Sequence, residues 1–273
     1  MPDIVFSIVT VVRNAKTDLE KTINSIKQQT YSHIECVVID GASTDGTVEF
    51  IKNNFDRINK WKSEPDTGIY DAMNKGKKLA TGDFVTFINA GDEFFTNTVL
   101  DDILKGMDTN KNKLYFGKVT IFNKEVEWEY KPYDNHDNKY YLPHHQSAFY
   151  PALYYKKEDY DTRFKIMGDL DFTLRATKQL EKHYIPVTTV RSEMNGFSVM
   201  VYRHWKGIRV YIKDHQLFMV KYPTIYSPFD NLRIYSKAIV KYVAFKIGGA
   251  YLINKMIAKR LKITGSRYAA QSK

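Results

Sequence analysis

The chain has 273 residues, a length that fits one enlarged α/β domain with a C-terminal appendage. Its formal net charge of +10 lies in the tail: Met1 to Tyr202 carries 26 Lys and Arg against 29 Asp and Glu, whereas Arg203 to Lys273 carries 15 against two. This distribution argues against a generally basic nucleic-acid-binding protein, and a single cysteine excludes a disulfide framework.

The first part of the chain alternates strand and helix patterns. Ile4 to Val12 is apolar and β-branched, which predicts a central strand covered on both faces. Thr17-Asp18-Leu19-Glu20 has the form of a capping box and predicts the start of a helix. A second buried strand is predicted over Ile34 to Ile39, and a helical stretch over Val48 to Ile51.

This order of elements predicts an α/β fold with a Rossmann-like, mostly parallel sheet flanked by helices. The later predicted elements are helices over Asp71 to Leu79 and Asp171 to Leu180, and strands over Phe84 to Ile88, Lys113 to Asn123, Glu125 to Tyr130 and Tyr184 to Val190. The two strands within 113–130 are expected to be antiparallel.

Two features predict a cytoplasmic protein. Cys36 lies in an apolar run, where a buried small side chain is expected, and a chain without disulfides is typical of a reducing compartment. Met1-Pro2-Asp3 leads directly into a strand pattern and lacks the basic, apolar and small-residue sections of an export signal.

Polar side chains follow the carboxyl ends of the predicted strands. Arg13 and Asn14 follow the first strand, Asp40 and Asp45 the second, and Asp92 the third. In open α/β sheets ligands bind at this edge, so we expect these side chains to line one crevice. No G-x-G-x-x-G follows the first strand, which argues against a dinucleotide dehydrogenase.

Five segments carry a resemblance to a known family: Phe6 to Thr10, Val38 to Thr47, Ser63 to Gly76, Asn89 to Asp92 and Gly168 to Asp171. With these motifs in this order, the chain resembles family 2 glycosyltransferases of the GT-A fold over roughly Phe6 to Met200. The resemblance implies an inverting transfer of a sugar from a nucleotide-diphosphate donor to a hydroxyl of a saccharide or lipid-linked saccharide acceptor. It also implies a place in surface polysaccharide or lipid-linked oligosaccharide assembly.

The resemblance places the nucleotide base and ribose against Thr10, Arg13, Asn14 and Asp40. A carboxylate at a strand end can accept a hydrogen bond from a ring N–H. As structural alternatives, Asp40 is a turn residue before a glycine and Asp45, also assigned to the donor site, is a helix N-cap.

The family's loop and short helix over the donor phosphates correspond to Asp66 to Lys75. Within this segment Asp71 is the expected contact to the sugar or ribose. Lys75 lies four residues later, so it is equally expected to be the ion-pair partner of Asp71 on one helix face.

Asp92 corresponds to the last carboxylate of the family's DxD metal motif, which implies Mg²⁺ or Mn²⁺ on the diphosphate. Asn89 and Gly91 occupy the places of the earlier acids. A single carboxylate therefore needs the diphosphate and water as further ligands.

Asp169 aligns with the catalytic base of the family's ED motif, although Gly168 replaces the glutamate. An inverting transfer needs one carboxylate close to the acceptor hydroxyl. Asp171 is the alternative base, and otherwise caps the helix or pairs with Arg175, four residues on.

His144-His145-Gln146 lies where the family often places contacts to the donor sugar or the acceptor. Neighbouring residues in a strand point to opposite faces, so we expect at most one histidine to face the cleft and assign His145 and Gln146. As an alternative, these residues only support the loop.

The predicted division is a GT-A domain over 1–202 and a basic, aromatic-rich helical tail over 203–273. Lysines interrupt the apolar stretches of the tail, so no membrane-spanning helix is predicted. Its mixture of basic and aromatic residues predicts contact with an anionic membrane surface, on the inner face of the cell membrane. Alternatively, the tail packs on protein. The reduced motifs leave open a second function, a catalytically inactive binding or scaffold protein with the same fold at the membrane.

Overall fold

The computed structural model describes residues 4–54, 56–108, 110–122, 127–130, 132–134, 139–140, 142–193, 204–223, 236, 239–243 and 246–247. The chain forms two compact units. The first comprises Met1–Ile121, Glu129–Thr162 and Gly168–Ser192, and the second Phe122–Trp128, Arg163–Met167 and Glu193–Lys273. The boundary predicted at residue 202 lies outside the described residues.

The strands are β1 (Phe6–Val12), β2 (Ile34–Asp40), β3 (Lys60–Ser63), β4 (Phe84–Phe87), β5 (Glu93–Phe94), β6 (Leu114–Phe122), β7 (Glu127–Tyr130), β8 (Tyr133–Asp134), β9 (Lys139–Tyr140), β10 (Ala148–Pro151) and β11 (Lys182–Glu193). The helices are α1 (Lys16–Lys27), α2 (Thr47–Asn53), α3 (Ile69–Leu79), α4 (Val99–Gly106), α5 (Ala152–Tyr155), α6 (Gly168–Gln179) and α7 (Trp205–Lys221). A 3-10 turn spans His145–Ser147.

The main sheet has nine strands in the order β3-β2-β1-β4-β10-β6-β11-β5, with β7 paired to β6. Strands β3, β2, β1 and β4 are parallel, and β10 is antiparallel to both β4 and β6. The predicted Rossmann-like sheet flanked by helices is thereby confirmed as a mixed sheet with a parallel half.

Strand β1 is the centre of this parallel half. All seven of its residues are buried, as its unbroken apolar pattern predicts for a strand covered on both faces. Gly76 lets α3 approach it closely, because a Cβ at that position would overlap Val9 Cγ1. Cys36 is buried in the same core, and burial raises the pKa of its thiol to about 12, so it is an unreactive core residue.

The predicted capping box at Thr17 is wrong. Helix α1 begins at Lys16 after Ala15 and has no side-chain cap of its own. Asp45, from the loop after β2, instead accepts a hydrogen bond from the Lys16 N–H at 3.2 Å. The hydrogen bond at the start of α1 therefore comes from a residue 29 positions away, which a pattern of neighbouring residues does not indicate.

Two predicted boundaries also shift. Helix α6 begins at Gly168 rather than at Asp171, which places Asp169 in its first turn. Strand β7 begins at Glu127, and residues 125–126 of the predicted strand lie outside the described residues.

The parallel half brings the carboxyl ends of its strands to one edge. Val12 pairs with Asp40, and Asp40 pairs with Ser63 on the other side. Because β10 runs antiparallel to β4, the turn at His145–Ser147 that precedes β10 lies at the same edge, beside the end of β4. The edge therefore collects the loops after four parallel strands and the loop before an antiparallel one.

In the second unit, α7 buries Ile208 and Phe218, and the Phe218 ring lies 6.1 Å from that of Phe164. Within the described residues, no helix combines the length and apolarity needed to cross a bilayer. Residues 239–243 and 246–247 are also helical, but most of the predicted basic tail lies outside the described residues.

Candidate active site

Asp40, at the end of β2, has one satisfied and one unsatisfied carboxylate oxygen. Its Oδ2 accepts hydrogen bonds from the Ser43 N–H at 3.0 Å and the Ser63 hydroxyl at 2.6 Å. Its Oδ1 is buried and has no hydrogen-bond partner among the described residues. An unpaired buried carboxylate oxygen is costly, so this atom is a candidate acceptor for a ligand N–H.

Arg13 and Asp66 lie beside Gly41, next to Asp40. A Cβ at Gly41 would overlap Asp66 Oδ2 and would lie 3.2 Å from Arg13 Cδ. The glycine is thus required by the close approach of two charged side chains to the backbone. The predicted grouping of Arg13 with Asp40 holds in the structure, and Asp66 joins it.

The Asn14 side chain joins two loops of the edge. The Asn14 Oδ1 accepts a hydrogen bond from the Thr44 N–H at 2.8 Å, and the backbone N–H of Asn14 donates to Ser43 Oγ at 2.7 Å. Asn14 adopts a left-handed conformation with a φ of 50°, which asparagine tolerates better than most residues. It therefore fixes the loop beside Asp40.

Three further predicted donor contacts already have protein partners. The buried Thr10 hydroxyl donates to the Ile88 carbonyl at 2.8 Å and ties β1 to the end of β4. Asp45 accepts from the Thr47 N–H at 3.1 Å as well as from Lys16, although the N-cap residue of α2 is Gly46 and not Asp45. Asp71 accepts from the Thr67 N–H at 3.0 Å and pairs with Lys75 at 3.3 Å, the predicted i,i+4 ion pair.

Asp92 follows β4 and is almost fully buried, with 8% of its surface exposed. Burial raises the pKa of its carboxyl to about 6, against the opposing effects of the Ser192 hydroxyl, the His145 imidazole and the Gln146 amide. Gln146 Nε2 donates directly to Asp92 Oδ2. The structure thus joins the predicted metal ligand to the predicted sugar-contact residue.

The turn before Asp92 has a steric reason to depart from the family's DxD pattern. Gly91 has a φ of 99°, a conformation that an aspartate adopts only with strain. Asn89 contributes a side-chain oxygen, Oδ1, that is buried and without a partner among the described residues. No group of three or more His, Cys, Asp and Glu side chains suited to a metal occurs in the described part of the chain.

Asp169, in the first turn of α6, accepts hydrogen bonds on both carboxylate oxygens. Oδ1 accepts from the Tyr70 hydroxyl at 3.1 Å and from the Leu170 N–H at 2.8 Å, and Oδ2 lies 3.1 Å from His145 Nδ1. Burial alone would raise the pKa of Asp169, but the His145 imidazole and the Leu170 N–H hold it below its ordinary value. The carboxylate is therefore ionised at neutral pH.

Gly168 leaves no room for the glutamate of the ED motif. A Cβ at this position would lie 2.7 Å from Tyr70 Cδ2, so the Tyr70 ring occupies the space where a side chain would begin. Tyr70, at the start of α3, is itself held by the hydrogen bond to Asp169. This contact joins two residues that are 99 positions apart, so no local sequence pattern indicates it.

Asp171 is committed to a different interaction. It is fully buried, and its Oδ2 lies 3.0 Å from Arg175 Nε, the predicted ion pair within the helix. Arg175 also donates to Glu158 and to the Asp159 carbonyl. Asp169 lines the cavity described next, and Asp171 is not among the lining residues of that cavity.

A cavity of about 240 Å³ opens beside Asp169. Its lining residues are Tyr130, Leu142, Pro143, His144, His145, Asp169, Leu170 and Thr173. The walls combine apolar surface with one carboxylate and two imidazoles, which suits a ligand that has both apolar faces and hydroxyl groups.

Both histidines line this cavity, so the expectation that at most one would do so is wrong. The prediction assumed a strand, but His145–Ser147 forms a 3-10 turn, and the two imidazole rings stack with centroids 5.1 Å apart. Burial and the neighbouring His145 lower the pKa of His144 to about 3, which keeps that ring neutral. His145 Nε2 is buried and has no hydrogen-bond partner among the described residues.

Sequence comparison gives consistent matches. The model of glycosyl transferase family 2 matches residues 7–180. An uncharacterized glycosyltransferase of Mycobacterium tuberculosis is 32% identical over 189 residues, which cover 67% of this chain and 71% of the relative. A PGL/p-HBAD biosynthesis glycosyltransferase of Mycobacterium bovis is 30% identical over 204 residues, which cover 71% of this chain and 78% of the relative.

Solved structures share the fold. S. aureus TarS 1–349 in complex with UDP superposes with a TM-score of 0.61 at 15% identity, covering 88% of this chain and 80% of TarS 1–349. A mannosyltransferase of Pyrobaculum calidifontis in complex with GDP-Man and Mn²⁺ gives 0.57 at 16% identity, covering 97% and 84%. At these identities the similarity shows the fold alone, and it confirms the predicted GT-A class.

Asp92→Asn should stabilise the metal-free protein at pH 7.5. Because the pKa of Asp92 is raised to about 6 in the folded chain, keeping this carboxyl ionised above pH 6 lowers the free energy of unfolding by up to about 3 kcal/mol. This destabilisation disappears as the pH falls below about 4, where the carboxyl is protonated in both the folded and the unfolded chain. The measurement is urea unfolding with EDTA at pH 7.5 and at pH 4. Asp71→Asn is the control, because the pKa of Asp71 is lowered, mainly by the Thr67 N–H. Removing the Asp71 carboxylate should therefore not raise the free energy of unfolding. An Asp92→Asn protein less stable than wild type at both pH values would contradict this account of Asp92.

Proposed function

The chain belongs to glycosyltransferase family 2, and on this premise we propose that it transfers a sugar with inversion from a nucleotide-diphosphate donor to a hydroxyl of a saccharide or lipid-linked saccharide. The family shows that the protein is a glycosyltransferase. What we propose is that the transfer inverts the anomeric carbon, that it uses a divalent metal, and that the acceptor is a saccharide or lipid-linked saccharide. The observation that carries it is Asp169, an ionised carboxylate that lines a cavity and is oriented by Tyr70 and His145.

In the proposed reaction the acceptor hydroxyl attacks the anomeric carbon of the donor sugar. The new bond forms from the acceptor oxygen, the bond between the anomeric carbon and the diphosphate breaks, and the nucleoside diphosphate leaves with the bonding electrons. The hydroxyl proton passes to Asp169. His145 and Tyr70 hold the carboxylate in place, so the proton acceptor is oriented before the substrate arrives.

Asp92 is the proposed ligand for Mg²⁺ or Mn²⁺. The oxygens at Asp92 and Asn89 fit a hard divalent cation, which would take its remaining ligands from water and the donor diphosphate. When bound, such an ion neutralises charge on the leaving diphosphate. The mannosyltransferase neighbour holds GDP-Man together with Mn²⁺, which supports this assignment.

Asp40 and Arg13 are the proposed contacts to the nucleoside. The unpaired Asp40 Oδ1 suits a ring N–H of uracil or guanine, and the Arg13 side chain lies beside it. The named complexes of the structural neighbours contain UDP, UDP-GlcNAc and GDP-Man, which is consistent with a nucleotide at this edge.

The exposed apolar surface near the C terminus supports the predicted membrane contact. Ile239, Val240, Val243 and Ile247 recur at helical spacing, and each exposes between 47% and 78% of its surface. In the same helical segment, the Tyr242 ring lies 5.6 Å from that of Trp205 on α7.

We name Ile239, Val240, Val243 and Ile247 the apolar stripe. Because the tail from Arg203 onward carries 15 Lys and Arg against two Asp, the partner that complements the stripe and the surrounding charge is an anionic bilayer. Docking there would place the enzyme peripherally on the inner face of the membrane, near a lipid-linked acceptor.

Asp169→Asn should lower turnover by about 10²–10⁴-fold while nucleotide binding is unchanged, because the variant loses the proton acceptor and keeps the donor site. Turnover is measured as nucleoside diphosphate released from each of a panel of UDP-, GDP- and dTDP-sugars. Asp171→Asn is the matched control in the same helix. It should lower the melting temperature and keep the turnover of the folded fraction, because Asp171 pairs with Arg175.

The reverse result, in which Asp171→Asn is inactive and Asp169→Asn is not, would assign the base to Asp171. If the folded wild type releases no nucleoside diphosphate from any donor, with or without Mn²⁺, the inactive binding protein becomes the better description.

Asp40→Asn should weaken binding of UDP or GDP by about 10–100-fold, because it replaces a charged acceptor of one buried hydrogen bond. Binding is read from the rise in melting temperature with nucleotide concentration. Glu35→Gln is the control at the opposite end of β2. The Glu35 carboxylate contacts Lys60, Ser7 and Thr81, so its loss should lower stability and leave the nucleotide-dependent rise unchanged. Equal weakening by both variants would contradict the assignment of Asp40.

The full chain should sediment with phosphatidylglycerol vesicles and not with phosphatidylcholine vesicles, because each nearby Lys or Arg contributes about 1 kcal/mol only at an anionic surface. Val240→Asp with Val243→Asp should abolish sedimentation. Leu153→Asp, at a half-exposed site on α5, should not. Wild-type protein that sediments with neither lipid, or that dimerises through the stripe in light scattering, would overturn the membrane assignment.

A further inference from the structure

Asp214, on α7, holds the loop that leads into α6. Its Oδ2 accepts hydrogen bonds from three consecutive backbone N–H groups, those of Lys165 at 2.8 Å, Ile166 at 2.6 Å and Met167 at 3.0 Å. The Asp214 residue is 3% exposed. One carboxylate oxygen thus satisfies the donors of an entire turn of backbone.

Three successive N–H groups that converge on one point form a nest, a backbone arrangement that favours an anion at its centre. Without the carboxylate these N–H groups would lose this acceptor, and a buried backbone donor that loses its partner destabilises the conformation that buries it. The conformation of residues 165–167 therefore depends on a side chain of α7.

The held loop continues directly into the proposed catalytic residue. Only Gly168 separates Met167 from Asp169, and the backbone of Gly168 is confined because a Cβ there would lie within 2.7–2.9 Å of the Tyr70 ring. Because Gly168 is the only residue between them, a shift of the Met167 backbone would displace the backbone of Asp169 and with it the carboxylate. A displacement of about 1 Å at a reacting group can cost about 100-fold in rate.

We propose that Asp214 is a positioning residue for Asp169, and that it acts through the backbone of residues 165–168. Residues 7–180 carry the family match, so this role belongs to the segment that follows it. The inference rests on the proposed role of Asp169 as the base. It gives Asp214 a role in catalysis that is separate from the proposed membrane contact.

The test compares Asp214→Ala and Asp214→Asn in the full chain, by nucleoside diphosphate release from the donor that stabilises the wild type. We expect Asp214→Ala to lower kcat by roughly 10–100-fold with nucleotide affinity within about twofold of wild type. Asp214→Asn should recover part of the loss, because its amide oxygen still accepts hydrogen bonds.

Ile208→Ala is the matched control, since Ile208 is fully buried on α7 and makes no bond to the loop. It should lower the melting temperature at least as much as Asp214→Ala and leave kcat near the wild-type value. An equal loss of kcat in Ile208→Ala and Asp214→Ala would overturn the proposal, because the loss would then follow from stability alone.

The double variant Asp169→Asn with Asp214→Ala separates this inference from the proposed function. If Asp214 acts through Asp169, the double variant should be no slower than Asp169→Asn. Fully additive losses would overturn the positioning role and leave Asp169 as the base. Full turnover in Asp169→Asn would refute the base assignment itself, and with it the role of Asp214.

Discussion

The parallel pairing of β1 with β2 and β4 is the constraint on which the candidate site depends. Parallel strands end at the same edge, so the pairing of Val12 with Asp40 and of Asp40 with Ser63 brings three chain segments together. The antiparallel β10 adds the turn at His145–Ser147 to this edge from the other direction. Residues dispersed over most of the first unit therefore contribute to one site.

Within this site, three carboxylates differ in burial and hydrogen bonding because their surroundings differ. Asp40 keeps one buried oxygen unpaired, Asp92 is pushed toward its neutral form by burial, and Asp169 is held ionised by an imidazole and a backbone N–H. An unpaired buried oxygen suits a contact to a nucleoside N–H, and an ionised carboxylate suits a proton acceptor. A cation bound at Asp92 would favour the ionised form of its carboxyl and so offset the effect of burial. The environments thus match the proposed division of labour among three identical side chains.

The departures from the family's acidic motifs have local steric causes. Gly91 occupies a left-handed turn, and Gly168 faces the Tyr70 ring at a distance that excludes a Cβ. In both cases the acid that the motif leads one to expect would strain the backbone or collide with a neighbour. The reduced motifs therefore reflect the packing around the site and are weak evidence for lost activity.

The early alternation of strands and helices, the burial of β1 and the family could be predicted from the sequence, because periodicity and motif spacing are local properties. The short strands β3, β5 and β10 and the helices α4 and α5 were not predicted. The ion pairs of Asp71 with Lys75 and of Asp171 with Arg175 were predictable for the same reason, since a helix places residues four apart on one face. The tertiary structure alone decided that Tyr70 and His145 orient Asp169, that Asp45 caps a distant helix, and that Asp214 holds the loop before α6. These contacts join residues between 24 and 99 positions apart, and only the path of the folded chain brings such residues within hydrogen-bonding distance.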